Sequence, residues 1–132
     1  MMHYKIIREN RPHLKNYGKY KAVAVHANTI GPEQIRQEIQ ANCSAKASDV
    51  ILVLNELSTV VAHHLRQGDR VRIEGLGLAK LEIESDKVDT PSSFRPRSNI
   101  RGIRLHLLPE CKDGKPILYQ DIKFRQLTGD WK

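Results

Sequence analysis

Gly68-Asp69-Arg70-Val71-Arg72-Ile73-Glu74-Gly75-Leu76-Gly77 stops a helix, runs a short strand and turns the chain back. Gly68-Asp69 is a helix terminator, because glycine accepts the left-handed backbone that ends a helix and cannot favour its continuation. Arg70 to Glu74 alternates polar and apolar, the period of a half-buried strand. Gly75 and Gly77 permit a tight turn and a close approach of backbone to backbone. Downstream, Leu78-Ala79-Lys80-Leu81-Glu82-Ile83-Glu84 alternates again, so the segment reads as a β-hairpin with Leu81 and Ile83 inward. Residues 85–99 are polar and rich in turn formers, and they read as a loop. Ile100 to Leu108 returns as a strand, with Ile103, Leu105 and Leu107 on one face and Arg104 and His106 on the other. Asp113-Gly114 signals a turn, and Ile117 to Leu127 is expected to be a last strand, with a short helix as the second choice.

Upstream lies the most apolar segment, expected as a helix over Ala47 to Gln67. A surface helix needs only a stripe at i, i+3, i+4 and i+7, but Val50-Ile51-Leu52-Val53-Leu54 covers every side of one turn. A chain of 132 residues cannot easily surround such a helix alone, so an intertwined homodimer is expected, with Val50, Val53, Leu54, Leu57 and Val61 in its core. Before it, Gly31-Pro32-Glu33 starts a shorter amphipathic helix with Ile35 and Ile39 four apart, ending near Asn42. Tyr4 to Ile7 and Tyr20 to Val25 read as strands around a basic loop from Arg8 to Lys19. The second alternates Tyr20, Ala22 and Ala24 against Lys21, Val23 and Val25, so both its faces are expected to be partly covered.

Charge is unevenly placed. Lys and Arg number 22 against 15 Asp and Glu, a net charge of +7. The net is +5 over residues 1–28 and +4 over 87–106, but −2 over 29–69, −1 over 70–86 and +1 over 107–132. The surplus thus sits in two non-helical segments, which is a footprint for a polyanion more than a uniform coat. Cys43 and Cys111 form no CxxC, so neither a disulfide framework nor a zinc site is indicated, and two buried or half-buried thiols are expected. The N-terminus lacks an apolar signal core and no run approaches the ~18 apolar residues of a membrane span. A cytoplasmic protein, with no membrane partner, is the expectation.

The run from Ser48-Asp49-Val50 to Leu65, continued through Gly68 to Gly77, resembles the core of the bacterial histone-like HU/IHF family. That family has a helix pair and a GD-x-V-x-(I/L)-x-G-(F/L)-G turn into a hairpin whose strands extend as DNA-embracing arms. Phe94-Arg95-Pro96-Arg97-Ser98-Asn99-Ile100-Arg101-Gly102-Ile103-Arg104 is similar to the return strand of such an arm. The extra N-terminal strands and Pro109 to Lys115 resemble the longer HU-like proteins of Bacteroidetes. The Arg-Asn-Pro tip, whose proline wedges into the minor groove, is absent, and Arg95-Pro96-Arg97 stands loosely in its place. The resemblance implies an α+β fold: a helix pair, an antiparallel sheet with a basic β-arm, and extra N-terminal strands. It also implies one domain over 1–132, with 1–28 an extension, 29–108 the HU-like core and 109–132 a tail.

Candidate chemistry follows from these placements. Gly75-x-Gly77 is not a nucleotide loop, since position 80 is Lys80 and a strand follows where a helix should. His63 and His64 diverge by about 100° on a helix and so cannot share one metal ion without another partner. No nucleophile or acid/base constellation is recognisable, so no enzyme, small-molecule substrate, cofactor or metal is expected. DNA contact is assigned to the arm, with Lys87, Arg95, Arg97, Arg101 and Arg104 on phosphates and Pro96 at the minor groove, and to Arg70, Arg72 and Lys80 as a saddle floor. The expected function is nucleoid-associated, histone-like binding and condensation of double-stranded DNA. The rival is an HU-fold protein-interaction or scaffold module without DNA binding, to which the single Trp131 would lend itself.

Overall fold

A computed structural model describes residues 1–127; the C-terminal stretch 128–132, with Trp131, lies outside them. The order is β1 (Met2–Arg8), β2 (Tyr20–Val25), α1 (Pro32–Asn42), α2 (Ala47–Arg66), β3 (Val71–Ile73), β4 (Gly77–Ser85), α3 (Pro96–Asn99), β5 (Ile100–Pro109), β6 (Cys111–Lys112), β7 (Lys115–Pro116) and β8 (Phe124–Gln126). The chain divides into two compact units, Met1–Ile35 with the stretch from Gln120, and Arg36–Tyr119. The mixed α+β character and the expected succession of strands, helix pair, hairpin and return strand are present.

In the larger unit α2 packs on β3 and β4. The helix begins where Asp49 accepts a hydrogen bond from the Lys46 backbone N–H at 3.3 Å, closing the first turn despite the lysine at the cap position. It ends at Gln67 and Gly68, whose φ of 88° is the left-handed conformation glycine tolerates. At 100° per residue, Val50, Leu54, Val61 and Leu65 fall on one side and are buried or half-buried. Beside them Val53, Leu57 and Val60 continue the apolar stripe and stay exposed. Among the described residues only Val50 and Ala79 are fully buried hydrophobics. Of the expected dimer core, then, Val50 is covered by its own chain, whereas Val53 and Leu57 are not.

The sheet of this unit runs β3–β4–β5, antiparallel throughout. Gly77 pairs with both Ile73 and Pro109, and a Cβ there would collide with the Leu108 carbonyl oxygen. Gly75 occupies the β3–β4 turn with φ 81°. Lys80 faces His106, Leu81 faces Leu105, Glu82 faces Arg104 and Ile83 faces Ile103, so the alternation holds on both strands. Leu81 and Ile83, expected inward, are however exposed in the single chain, and the Lys80–Glu82 face is the more covered.

Some expectations are corrected. The loop over 85–99 holds a 3-10 turn at Pro91–Ser93 and the four-residue helix α3, each opened by a proline whose fixed φ suits the first helical position. The tail is not one strand from Ile117 to Leu127. A 3-10 turn takes Ile117–Tyr119, Asp121 adopts a φ of 59°, and only Phe124–Gln126 is strand, parallel to β1. A residue held at positive φ breaks a ladder, which explains the shortening. In the smaller unit, ordered β2–β1–β8, Val23 and Val25 are half-buried while Tyr20, Ala22 and Ala24 are exposed, so only one face of β2 is partly covered. Both cysteines are exposed, not buried; the Cys43 thiol, just past α1, donates to the Ile39 carbonyl at 3.0 Å.

Candidate nucleic-acid interface

The β4–β5 ladder has one charged face. Leu78, Lys80, Glu82 and Glu84 point there from β4, opposite Leu108, His106, Arg104 and Gly102 of β5. Glu82 is its hub: its carboxylate accepts from Arg104 and from His106 Nδ1 at 2.8 Å each and lies 3.6 Å from Lys80 Nζ. The Arg104 guanidinium first and the His106 ring second hold the Glu82 pKa down at about 2, far below the ordinary carboxylate range. The same contact raises the Arg104 pKa, so this arginine is charged at any working pH.

Towards the far end of the hairpin the register shifts between Glu84 and Ser85, a β-bulge that leaves Arg101 outside regular pairing. Arg101 there meets Asp86. Beyond the bulge, Lys87 and Arg97 have no acid partner among the described residues. The Arg95 guanidinium donates to the Ser92 and Phe94 carbonyls at 2.9 and 3.2 Å, and its backbone N–H to the Asn99 side chain at 2.7 Å. Pro96 opens α3 between these arginines.

Arg70 and Arg72 sit at the other end of the sheet. Arg72 is opposite Leu78, and continuing that register by two residues sets Arg70 opposite Lys80. They line a hollow of about 640 Å³ with His64, Asp69 and Leu78. Arg72 donates through Nε to Glu110 at 2.8 Å, and Glu110 also accepts the Gly75 N–H, which lowers its pKa with Arg72 as the larger cause. Glu110 therefore ties the end of β5 to the glycine turn. Sequence reading missed it because Arg72 and Glu110 are 38 positions apart.

The charged face thus brings Lys80 and Arg104 together around Glu82. Arg101 sits on Asp86 and Arg72 on Glu110, while Arg70, Lys87, Arg95 and Arg97 meet no acid among the described residues. No group of three or more metal-ligating side chains is found among the described residues. His64 instead approaches Asp69 at 3.1 Å, and the His63 and His64 rings meet edge-on at 5.4 Å. No described helix is long and apolar enough to cross a membrane.

Comparison with known proteins places this arrangement. A solved structure from Bacteroides vulgatus ATCC 8482, described as a "Putative bacterial DNA binding protein", superimposes with a TM-score of 0.64 at 16% sequence identity. The match covers 95% of this chain and 47% of that one, so this chain spans about half the length of its neighbour. No curated protein matches by sequence. The family model of HU domains fused to a wHTH, Ig or glycine-rich motif matches residues 1–114. With the helix pair, the glycine turn and the charged hairpin in view, the chain belongs to that HU-HIG family.

Proposed function

We infer that this protein binds double-stranded DNA with little sequence specificity, as a homodimeric, nucleoid-associated architectural protein of the cytoplasm. The observation that carries the reading is the group of cations beyond the bulge, Lys87, Arg95 and Arg97, which meet no acid among the described residues and continue from Arg101 and Arg104 of β5. Family membership supports it, as does the description of the Bacteroides neighbour. Arginine presents a planar fork of donors that matches phosphate oxygens, and neutralised phosphates release counterions. Pro96, flanked by Arg95 and Arg97, is the candidate for minor-groove insertion. Residues 29–108 act as the HU-like core, with 1–28 its extension and 109–132 its tail.

Dimerisation is the second part of the reading. Val53 on α2 is 63% exposed, and Ile83 and Ile103 on the sheet are 65% and 67% exposed. Apolar surface of this extent favours a second copy.

The rival reading, an HU-fold interaction module, draws on the ion pairs that occupy Arg72, Lys80, Arg101 and Arg104. An electrophoretic shift titration of duplex DNA at several salt concentrations separates the two. With about six phosphates neutralised, log K falls against log salt with a slope near −5. Absence of duplex binding at low salt would leave the interaction module in its place.

A further inference from the structure

The smaller unit carries a second basic surface that the arm assignment does not use. The β1–β2 connection is held in one conformation by its own backbone. The Glu9 N–H donates to the Lys19 carbonyl at 2.8 Å and the Gly18 N–H to the Glu9 carbonyl at 3.0 Å. Within it, successive turns join Leu14 to Arg11, Tyr17 to Leu14 and Lys19 to Asn16, each at 3.0–3.1 Å. Gly18, at φ 84°, allows the return into β2.

Residues 8–21 hold Arg8, Arg11, Lys15, Lys19 and Lys21 against one acid, Glu9. Glu9 is largely covered and is consumed locally. It accepts the Arg11 N–H at 3.1 Å and the Arg11 Nε at 2.9 Å, and lies 3.9 Å from Lys21 Nζ. The Arg8 guanidinium lies 6.0 Å over the exposed Tyr17 ring. Lys15 and Lys19 meet no acid among the described residues. Arg11, Lys15, Asn16, Lys19 and Lys21 line one open hollow of about 510 Å³, roomy enough for a phosphate group.

This differs from the arm, where Glu82 and Asp86 already occupy Arg104 and Arg101. The loop carries as large a net charge as residues 87–106 in fewer residues, and a single acid, Glu9, serves both of its paired cations. Ordered lysines around a hollow, with one acid fully engaged, suit a repeating anion better than an acidic protein patch, which needs apolar contact beside its charges.

We propose that the β1–β2 loop is a second, independent contact for the phosphodiester backbone of duplex DNA, with Lys15 and Lys19 as its principal phosphate ligands. The proposal rests on the DNA-binding reading above. Two phosphate contacts on this loop add about 2 units to the salt slope, almost regardless of DNA sequence.

The test compares Lys15→Gln/Lys19→Gln with the charge-matched Lys112→Gln/Lys115→Gln, using one duplex of random sequence across a salt series. Thermal melts of all proteins establish that the folds are equal. The loop variant is expected to bind about tenfold more weakly at physiological salt, with a slope shallower by about 2, and the matched variant to behave as wild type. A loop variant that tracks the matched variant overturns the proposal while leaving the arm reading intact. A third protein, with Arg95, Arg97, Arg101 and Arg104 all changed to Ala, should retain weak binding that disappears when Lys15→Gln/Lys19→Gln is added. If the four arginine changes alone abolish binding, the loop is not independent and the proposal falls. A wild-type chain that fails to bind duplex at low salt removes both readings together.

Discussion

One face of the β4–β5 ladder carries Lys80, Glu82, Arg104 and His106; the other carries Leu81, Ile83, Ile103 and Leu105. The same two strands supply both, because successive side chains alternate across a sheet. On the charged face every group within reach of Glu82 has a partner inside the chain. On the apolar face Ile83 and Ile103 oppose one another and stay about two-thirds exposed, at 65% and 67%. The difference separates two requirements. Under the proposed function the apolar face would be covered by a second copy, which removes hydrocarbon from water, whereas the cations around Glu82 would exchange that acid for phosphate.

The sharpest break of that comparison is on the apolar side. Val53 is exposed in the single chain, so Val53→Asp leaves the chain's own packing nearly intact but places a charge wherever a second copy covers α2. Burying an unpaired charge costs roughly 3–5 kcal/mol, which weakens association at least about a hundredfold. Sedimentation at micromolar concentration should show a wild-type dimer and a folded Val53→Asp monomer. A wild-type protein that sediments as a stable monomer would refute the covered face.

On the charged side, the largest effect comes from changing Arg95, Arg97, Arg101 and Arg104 together to Ala. Exposed arginines add little to stability, since surface ion pairs are worth about 0–1 kcal/mol each. Duplex affinity should fall by orders of magnitude and the salt slope should become shallower by about one unit per lost phosphate contact. Changing Lys112, Lys115 and Lys123 to Ala in the near-neutral tail is the control. Equal losses from both sets would mean that charge acts diffusely and that the face has no special role.

Much of this architecture is legible in the sequence. Period-two alternation over 78–84 and 103–107 assigned each side chain to the face it occupies, because one face is apolar and a slip of one residue would invert it. The glycine stretch located the hairpin, and Gly77 has the close backbone neighbour that its lack of a Cβ requires. What escaped was pairing across distance. Counting charges by segment registered Glu82, Asp86 and Glu110 as acids without revealing that each sits on an arginine assigned to DNA. The bulge beside Ser85 and the parallel pairing of β8 with β1 also leave no local pattern, since they depend on partners far along the chain.

A smaller effect, opposite in sign, sharpens the comparison. Glu82→Gln removes the negative charge that Arg104, His106 and Lys80 share and leaves only one neutral amide oxygen to accept from them. If these cations meet phosphate, duplex affinity should rise severalfold and the salt slope steepen by about one unit. Glu84→Gln, on the same face, makes the same change in net charge at a group that forms no salt bridge among the described residues and acts on Arg104 only at longer range. An equal gain from both would show that only overall charge matters.

The smallest expected effect is a displaced titration. Glu82 has its pKa depressed to about 2, with the Arg104 hydrogen bond the larger cause and His106 the second. A carboxylate with a depressed folded pKa contributes stability at pH above its ordinary unfolded value near 4.5, and loses it as pH falls through about 2. Carboxyl carbon NMR should therefore find Glu82 still ionised well below the ordinary glutamate range. Arg104→Ala should move its midpoint up most of the way to the ordinary range, and His106→Ala by less. Duplex DNA provides the decisive comparison. If phosphate takes Arg104 from Glu82, the carboxylate loses its principal partner and gains a nearby negative charge, and both changes raise its pKa. Binding is then accompanied by an upward shift of the Glu82 midpoint, and affinity rises as pH is lowered through the interval between the free and bound values. A midpoint unchanged by saturating DNA would mean that Arg104 keeps its internal partner, and that phosphate contact begins beyond the bulge, at Lys87, Arg95 and Arg97.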